Sequence, residues 1–173
     1  GVGGGREGYA GLVTAALGDL DGDGLDDFAI GAPYVDSSSG ADDDSGEVYI
    51  GLGAGLGTLD QVRDTSRADL TLSTGGSYDY LGISIAGMGD ANGDGYDDYV
   101  VSSADIPTGT YQWMPMLWFM SGGGPDPGSD CHSWDWDYDH LDTLLYESEI
   151  PVLAGGGDID GDGRGDMIAG SPS

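Results

Sequence analysis

The chain contains no lysine. Its only basic side chains are Arg6, Arg63, Arg67 and Arg164, set against 32 acidic residues and a formal charge of −28. A surface this acidic repels polyphosphates and anionic headgroups, which excludes nucleic acid and membrane insertion as modes of action. Cysteine occurs once, at Cys131, so no intrachain disulfide can brace the fold. That residue is read as a small tolerated side chain rather than a reactive thiol. No run of about 18 apolar residues is present, so no membrane-spanning helix is expected. No signal-peptide pattern is found and the first residue is not Met, so the chain reads as a mature or excised product. The single asparagine, Asn92, precedes Gly-Asp and makes no N-glycosylation sequon.

Glycine supplies 35 of the 173 residues, too many for a helical protein and without the strict third-position period of collagen. With 38% hydrophobic residues the chain can bury a core, and its length suits one domain. What the composition concentrates is Asp with Gly, in three copies of one nine-residue stretch. They are Asp19-Leu20-Asp21-Gly22-Asp23-Gly24-Leu25-Asp26-Asp27, Asp90-Ala91-Asn92-Gly93-Asp94-Gly95-Tyr96-Asp97-Asp98 and Asp158-Ile159-Asp160-Gly161-Asp162-Gly163-Arg164-Gly165-Asp166.

Carboxylates or an amide stand at positions 1, 3, 5 and 9 of each copy. Such like charges repel unless a cation sits among them, and four arginines cannot supply that charge. Ca2+ can, because it takes 6–8 oxygens at roughly 2.3–2.6 Å from carboxylates, amides, backbone carbonyls and water. Mg2+ fits less well, since it prefers an octahedral shell that keeps several waters. Three calcium sites are therefore expected. The first uses Asp19, Asp21, Asp23 and Asp27 with the Leu25 carbonyl. The second uses Asp90, Asn92, Asp94 and Asp98 with the Tyr96 carbonyl. The third uses Asp158, Asp160, Asp162 and Asp166 with the Arg164 carbonyl. The bland alternative, a solvated Gly-Asp turn, suits a single copy better than three with the same flanks.

An EF-hand starts in the same way but closes with a Glu at position 12. Here that position is Ile30, Val101 or Ala169. The flanks are short apolar runs bounded by Gly and Pro, which predict strands, so each loop is expected in a strand–loop–strand hairpin.

Asp19 and Asp90 are 71 residues apart, and Asp90 and Asp158 are 68 apart. A period near 70 marks one supersecondary unit repeated. In the first unit, strands are expected over Tyr9–Leu17, Phe28–Pro33, Glu47–Ile50 and Asp69–Ser73, the content of a four-stranded propeller blade. In the second they are expected over Tyr80–Ala86, Tyr99–Ser102, Met116–Met120 and Thr143–Tyr146. The third has only Pro151–Ala154 and Met167–Ala169. The organisation predicted is one all-β domain: blade 1 over 9–79, blade 2 over 80–149 and a half blade over 150–173.

Tyr9 to Pro33, YAGLVTAALGDLDGDGLDDFAIGAP, and Tyr80 to Val101, YLGISIAGMGDANGDGYDDYVV, resemble the FG-GAP repeat of integrin α-subunit β-propellers and related bacterial surface proteins. Gly46-Glu47-Val48-Tyr49-Ile50 resembles the third blade strand of that family. The resemblance implies antiparallel four-stranded blades with calcium held between the first two strands of each. Copy two departs from it with Ser102-Ser103-Ala104 where copy one has Gly31-Ala32-Pro33. Copy three lacks the aromatic-Gly opening. The family closes a ring of about seven blades, and two and a half cannot close.

An open array leaves sheet edges that template pairing with another chain. Two arrangements are expected to cover them: the rest of a longer chain, or a neighbouring copy that completes the half blade in a ring or filament. Trp113, Trp118 and Phe119 lie in the most apolar run, read as a core strand or a subunit interface. Trp134 and Trp136 alternate with acids beside His132 and His140, read as a surface excursion, a sugar platform or a further metal site. Arg164-Gly165-Asp166 spells an adhesive tripeptide, but Asp166 is already assigned as a ligand. Neither histidine has a nucleophile and orienting acid at a recognisable spacing, so catalysis is not expected. The reading is a calcium-stabilised extracellular structural or adhesive module that self-associates. The alternatives are a propeller fragment binding a protein or glycan ligand, and an accessory domain of a secreted enzyme.

Overall fold

The computed structural model describes residues 9–36, 44–55, 68–73, 78–105, 114–123 and 152–170. Within these, nine strands form three antiparallel sheets, joined by turns and one short 3-10 turn, Gly53–Gly55. The first sheet has the order β1 (Val13–Gly18), β2 (Asp27–Ala32), β3 (Glu47–Gly51), β4 (Leu70–Ser73). The second has β5 (Ser84–Gly89), β6 (Asp98–Asp105) and β7 (Met114–Met120), and the third has β8 (Val152–Gly157) and β9 (Asp166–Gly170). The strand expected over Thr143–Tyr146 lies outside the described residues, as do Cys131, His132, His140, Trp113, Trp134 and Trp136.

The first strand of each long unit begins later than its apolar residues suggest. Tyr9 and Tyr80, expected to open these strands, instead hold left-handed backbone angles of φ 46° and 49°. A turn follows each, closed by Leu12 N–H to the Tyr9 carbonyl and by Ile83 N–H to the Tyr80 carbonyl. Extended pairing starts only beyond it, at Val13 and at Ser84.

Each β-hairpin carries the same irregularity just before its loop. Register slips between Ala16 and Gly18, between Gly87 and Gly89, and between Gly155 and Gly157. The closing glycine has positive φ in all three (79°, 76° and 65°), a bulge geometry that residues with a Cβ reach only with strain.

The sheets stack face to face, β1 on β5 and β5 on β8. Alternation along each strand sorts its side chains between the two neighbours. Leu17 and Ala29 of the first sheet pack with Ile85, Tyr99 and Val101 of the second, joined by Val48, Ile50, Leu81 and Met120. The opposite face of the second sheet, Ala86, Met88 and Val100, packs with Leu153, Met167 and Ala169 of the third. Trp118 joins the first cluster and Phe119 the second, so neighbouring residues of β7 serve opposite faces. Burying a side chain the size of Val100 contributes about 2 kcal/mol, and these clusters hold the sheets together.

The approach of the innermost strands is close. A Cβ on Gly87 would lie 2.6 Å from the Ala16 carbonyl oxygen, and one on Gly155 would lie within bonding distance of the Gly87 carbonyl oxygen. Glycine is required at both places because main chain meets main chain. Direct bonds add to this: Leu153 N–H donates to Ser84 Oγ at 2.9 Å, and Leu81 N–H donates to the Ser45 carbonyl at 3.1 Å beside a parallel bridge to Gly46.

Candidate metal loops

All three Asp-Gly stretches are hairpin loops between the first two strands of a sheet, as their flanks predict. Their internal bonding is nearly the same. The position-1 carboxylate takes the backbone N–H groups of both loop glycines, from Gly22 and Gly24 to Asp19, from Gly93 and Gly95 to Asp90, and from Gly161 and Gly163 to Asp158, at 2.7–3.0 Å, and Asp90 takes that of Asp94 as well. Positions 3 and 5 each take the N–H two residues on. Thus Asp21 takes Asp23 N–H and Asp23 takes Leu25 N–H, with Asn92, Asp94, Asp160 and Asp162 doing the same. The glycines at positions 4 and 6 all have positive φ, between 81° and 94°, which lets the chain coil around its own carboxylates.

Position 9 is different in the first two loops, where it is buried. Asp27 is 1% exposed and Asp98 3%. Asp27 accepts from Leu20 N–H at 2.8 Å and from Gly53 N–H at 2.7 Å, so it ties the loop to the turn after β3. Asp98 accepts from Ala91, Asn92 and Gly122 N–H groups in the same way, at 3.0–3.1 Å. Burial pushes the Asp98 carboxyl up from 3.8 to about 6; its three N–H partners oppose the shift and Asp94's charge adds to it. Burial also raises Asp27, opposed by the Gly53 and Leu20 N–H groups and assisted by the charges of Asp21 and Asp23. In the third loop Asp166 accepts from Ile159 and Asp160 N–H groups.

In the first loop, oxygens of Asp19, Asp21 and Asp23 lie within 4.8 Å of one another; in the third, those of Asp158, Asp160 and Asp166 do. This spacing suits a shared hard cation, since two oxygens on opposite sides of one Ca2+ stand about 4.6–5.2 Å apart. Asp21 and Asp23 each accept a backbone N–H on one carboxylate oxygen. Among the described residues the only basic side chain is the exposed Arg164. The donor set fits a divalent ion with oxygen preference, and the fit is uneven. Asp27 stands outside the first trio and Asp162 outside the third. The second loop forms no acidic trio: Asn92 replaces one acid and donates from its amide to Asp94 Oδ2 at 2.9 Å and to Ser121 Oγ at 3.3 Å.

Sequence reasoning missed position 8. Asp97 reaches out of its own loop and accepts from Asp19 N–H at 2.8 Å, while its own N–H donates to the Asp19 carbonyl at 3.1 Å. Gly165 repeats the backbone half of this contact, donating to the Asp90 carbonyl at 3.1 Å. Tyr96, at position 7, lays its ring over Gly22 of the preceding loop. The doubled Asp97-Asp98 is the only trace of this in the sequence: one acid faces inward and the other faces the neighbouring loop.

Residues 8–50 match the family model described as the FG-GAP repeat. The chain is 31% identical to integrin alpha-PS2 of Drosophila melanogaster over 92% of its own length and 11% of that protein. It is 31% identical to integrin alpha-5 of Xenopus laevis over 94% of its length and 15% of that protein. It is also 38% identical to phosphatidylinositol-glycan-specific phospholipase D of Rattus norvegicus, over 61% of its length and 11% of that protein. The chain thus spans between a tenth and a sixth of these relatives. With the hairpin loops, the open antiparallel sheets and this likeness together, the chain carries an FG-GAP repeat, and its sheets are blades of the integrin α-like β-propeller kind.

Proposed function

We propose that this chain is a calcium-stabilised extracellular structural or adhesive module that performs no catalysis. The observation that carries the reading is the threefold recurrence of one loop geometry, with carboxylate oxygens drawn together in the first and third copies. The proposed ligands are Asp19, Asp21, Asp23, Asp27 and the Leu25 carbonyl; Asp90, Asn92, Asp94, Asp98 and the Tyr96 carbonyl; and Asp158, Asp160, Asp162, Asp166 and the Arg164 carbonyl. A bound ion would supply positive charge at each hairpin. The chain's own residues do the rest: position 1 shapes the loop, positions 3 and 5 present oxygens, and position 9 anchors the loop to the blade. An extracellular setting suits this, because sites of this kind bind at roughly 10⁻⁴–10⁻³ M and fill only where calcium is plentiful.

The proposed organisation is blade 1 over 9–79, blade 2 over 80–149 and a half blade over 150–173. Within it the chain is a self-associating filament or polymer subunit whose half blade is completed by a neighbour. Support comes from β9, whose only pairing among the described residues is with β8. A second reading, a piece of a propeller that binds a protein or glycan, is favoured by coverage of a small part of each integrin relative. The phospholipase D relative supports a third, an accessory domain beside an enzyme.

Calorimetric titration with CaCl2 tests the metal reading. Three binding events per chain, lost one at a time in Asp21→Ala, Asp94→Ala and Asp160→Ala, are expected. Absence of binding at millimolar calcium refutes it.

A further inference from the structure

We infer, resting on the calcium reading of these loops, that the first two loops bind their ions cooperatively. Asp97 and the Gly122-Gly123 turn are the coupling elements, and the third loop stands apart.

An isolated hairpin loop would fill without regard to its neighbours. The first loop is not isolated. Asp19, at position 1, is clamped through its main chain: its N–H donates to Asp97 Oδ2 at 2.8 Å, and its carbonyl accepts Asp97 N–H at 3.1 Å. Tyr96 lies against Gly22, where a Cβ would come 2.7 Å from the ring's Cε1. The Leu20 carbonyl accepts Gly123 N–H at 2.9 Å. This last bond continues to both buried carboxylates. Asp98 accepts N–H from Gly122, the residue before Gly123, at 3.0 Å, and Leu20 N–H donates to Asp27 at 2.8 Å. Position 9 of one loop is thus joined to position 9 of the other through main-chain groups. Leu20, Asp27, Asp98 and Gly122 are all buried, so water competes little for these bonds.

An empty loop holds like charges that repel, so its coiled form competes with an opened one, and a bound ion favours the coiled form. The contacts between the loops form only when both are coiled. They therefore add to the affinity for whichever ion arrives second, and linkage makes the effect reciprocal. The third loop lacks most of these contacts. Gly165 stands at position 8 and offers no carboxylate; only its N–H reaches the Asp90 carbonyl, at 3.1 Å. Arg164 stands at position 7, and a Cβ on Gly93 would meet nothing within 4 Å.

Amide NMR of the 173-residue chain during addition of CaCl2 tests this. The N–H groups of Gly24, Gly95 and Gly163 report the loops one by one, since each is bonded to the position-1 carboxylate of its own loop. Gly24 and Gly95 should respond together, with a Hill coefficient above one. Asp94→Ala, which disables the second loop, should raise the calcium midpoint of Gly24 about fivefold or more and that of Gly163 by less than about twofold. Asp23→Ala should do the same to Gly95. In an Asp97→Ala background the effect of Asp94→Ala on Gly24 should shrink severalfold, leaving the part carried by Gly123. An Asp97 that serves stability alone would leave that effect at full size, which would overturn its coupling role. Circular dichroism checks that each variant is folded in calcium, and Asn92→Ala replaces Asp94→Ala should the latter not fold. Non-cooperative filling of the unaltered chain, with a Gly24 midpoint indifferent to the second loop, overturns the coupling and leaves the calcium reading standing. Failure of all three glycines to respond to calcium overturns that reading itself.

Discussion

Replacing Gly87 by alanine isolates the contact that sets blade spacing. The added Cβ would lie 2.6 Å from the Ala16 carbonyl oxygen, 2.9 Å from Leu17 Cα and 3.2 Å from the Leu17 carbonyl carbon. All three are backbone atoms of the neighbouring blade, so no rotamer change relieves them. Gly87 does not adopt a positive φ, so the substitution brings no conformational strain of its own. Overpacking of this kind costs about 1–3 kcal/mol, and the gain from a less flexible unfolded chain returns about 0.4–1 kcal/mol. A net loss of about 1–2 kcal/mol follows, or a melting temperature lower by about 2–8 °C for a chain of this size. Gly170→Ala is the matched control, because its Cβ would meet nothing within 4 Å. That variant should be neutral or slightly stabilising. Urea denaturation of both variants in saturating calcium measures the difference. Equal midpoints for Gly87→Ala and Gly170→Ala would show that the inner strands do not approach as described.

Chelation should lower the melting temperature by roughly 10 °C: at about 1 mM calcium and a Kd near 0.1 mM each site contributes about 1.4 kcal/mol, and three contribute about 4; an unchanged melting curve in EDTA contradicts this. Asp97→Ala removes the acceptor for Asp19 N–H and should cost about 1–2 kcal/mol, read by urea denaturation, with Asp97→Asn losing less. The metal-free chain should gain stability as pH falls. Asp98 titrates at about 6 when folded and 3.8 when unfolded, so the folded state binds an extra proton between these values. Its contribution is complete below 3.8 and is lost as pH rises through about 6. A urea midpoint no higher at pH 5 than at pH 7.5 refutes this, and Asp98→Asn should flatten the profile. If Asp98 holds calcium as proposed, added calcium should reverse the trend, since a proton and the ion would compete for the same carboxylate.

The hairpin loops were legible because their information is local. Asp at alternate positions and Gly at positions 4 and 6 dictate the turn, and three acids draw their oxygens together in the first and third loops. The strands flanking them were legible from short apolar runs. What escaped depends on neighbours distant in the chain. Nothing in the residues beside Tyr9 or Tyr80 announces a left-handed backbone, since each reads as the aromatic start of an apolar run. The contact at Gly18 is likewise visible only in the fold, where Asp97, 79 residues onward, lies against it. Asp27 and Asp98 were assigned as ligands on spacing; their burial and their bonds to Gly53 and Gly122 come from the third strand of each blade, which no nine-residue window contains. Trp118 and Phe119 fell in one apolar run, yet the pleat sends them to opposite junctions.

The glycine contact between inner strands acts as a gauge. Pitch from one blade to the next is set there by peptide atoms, whose dimensions do not change with sequence. Residues on the outer rim can therefore be exchanged for new recognition surfaces without disturbing the angular step of the array, so long as Gly87 and Gly155 keep their hydrogen atoms.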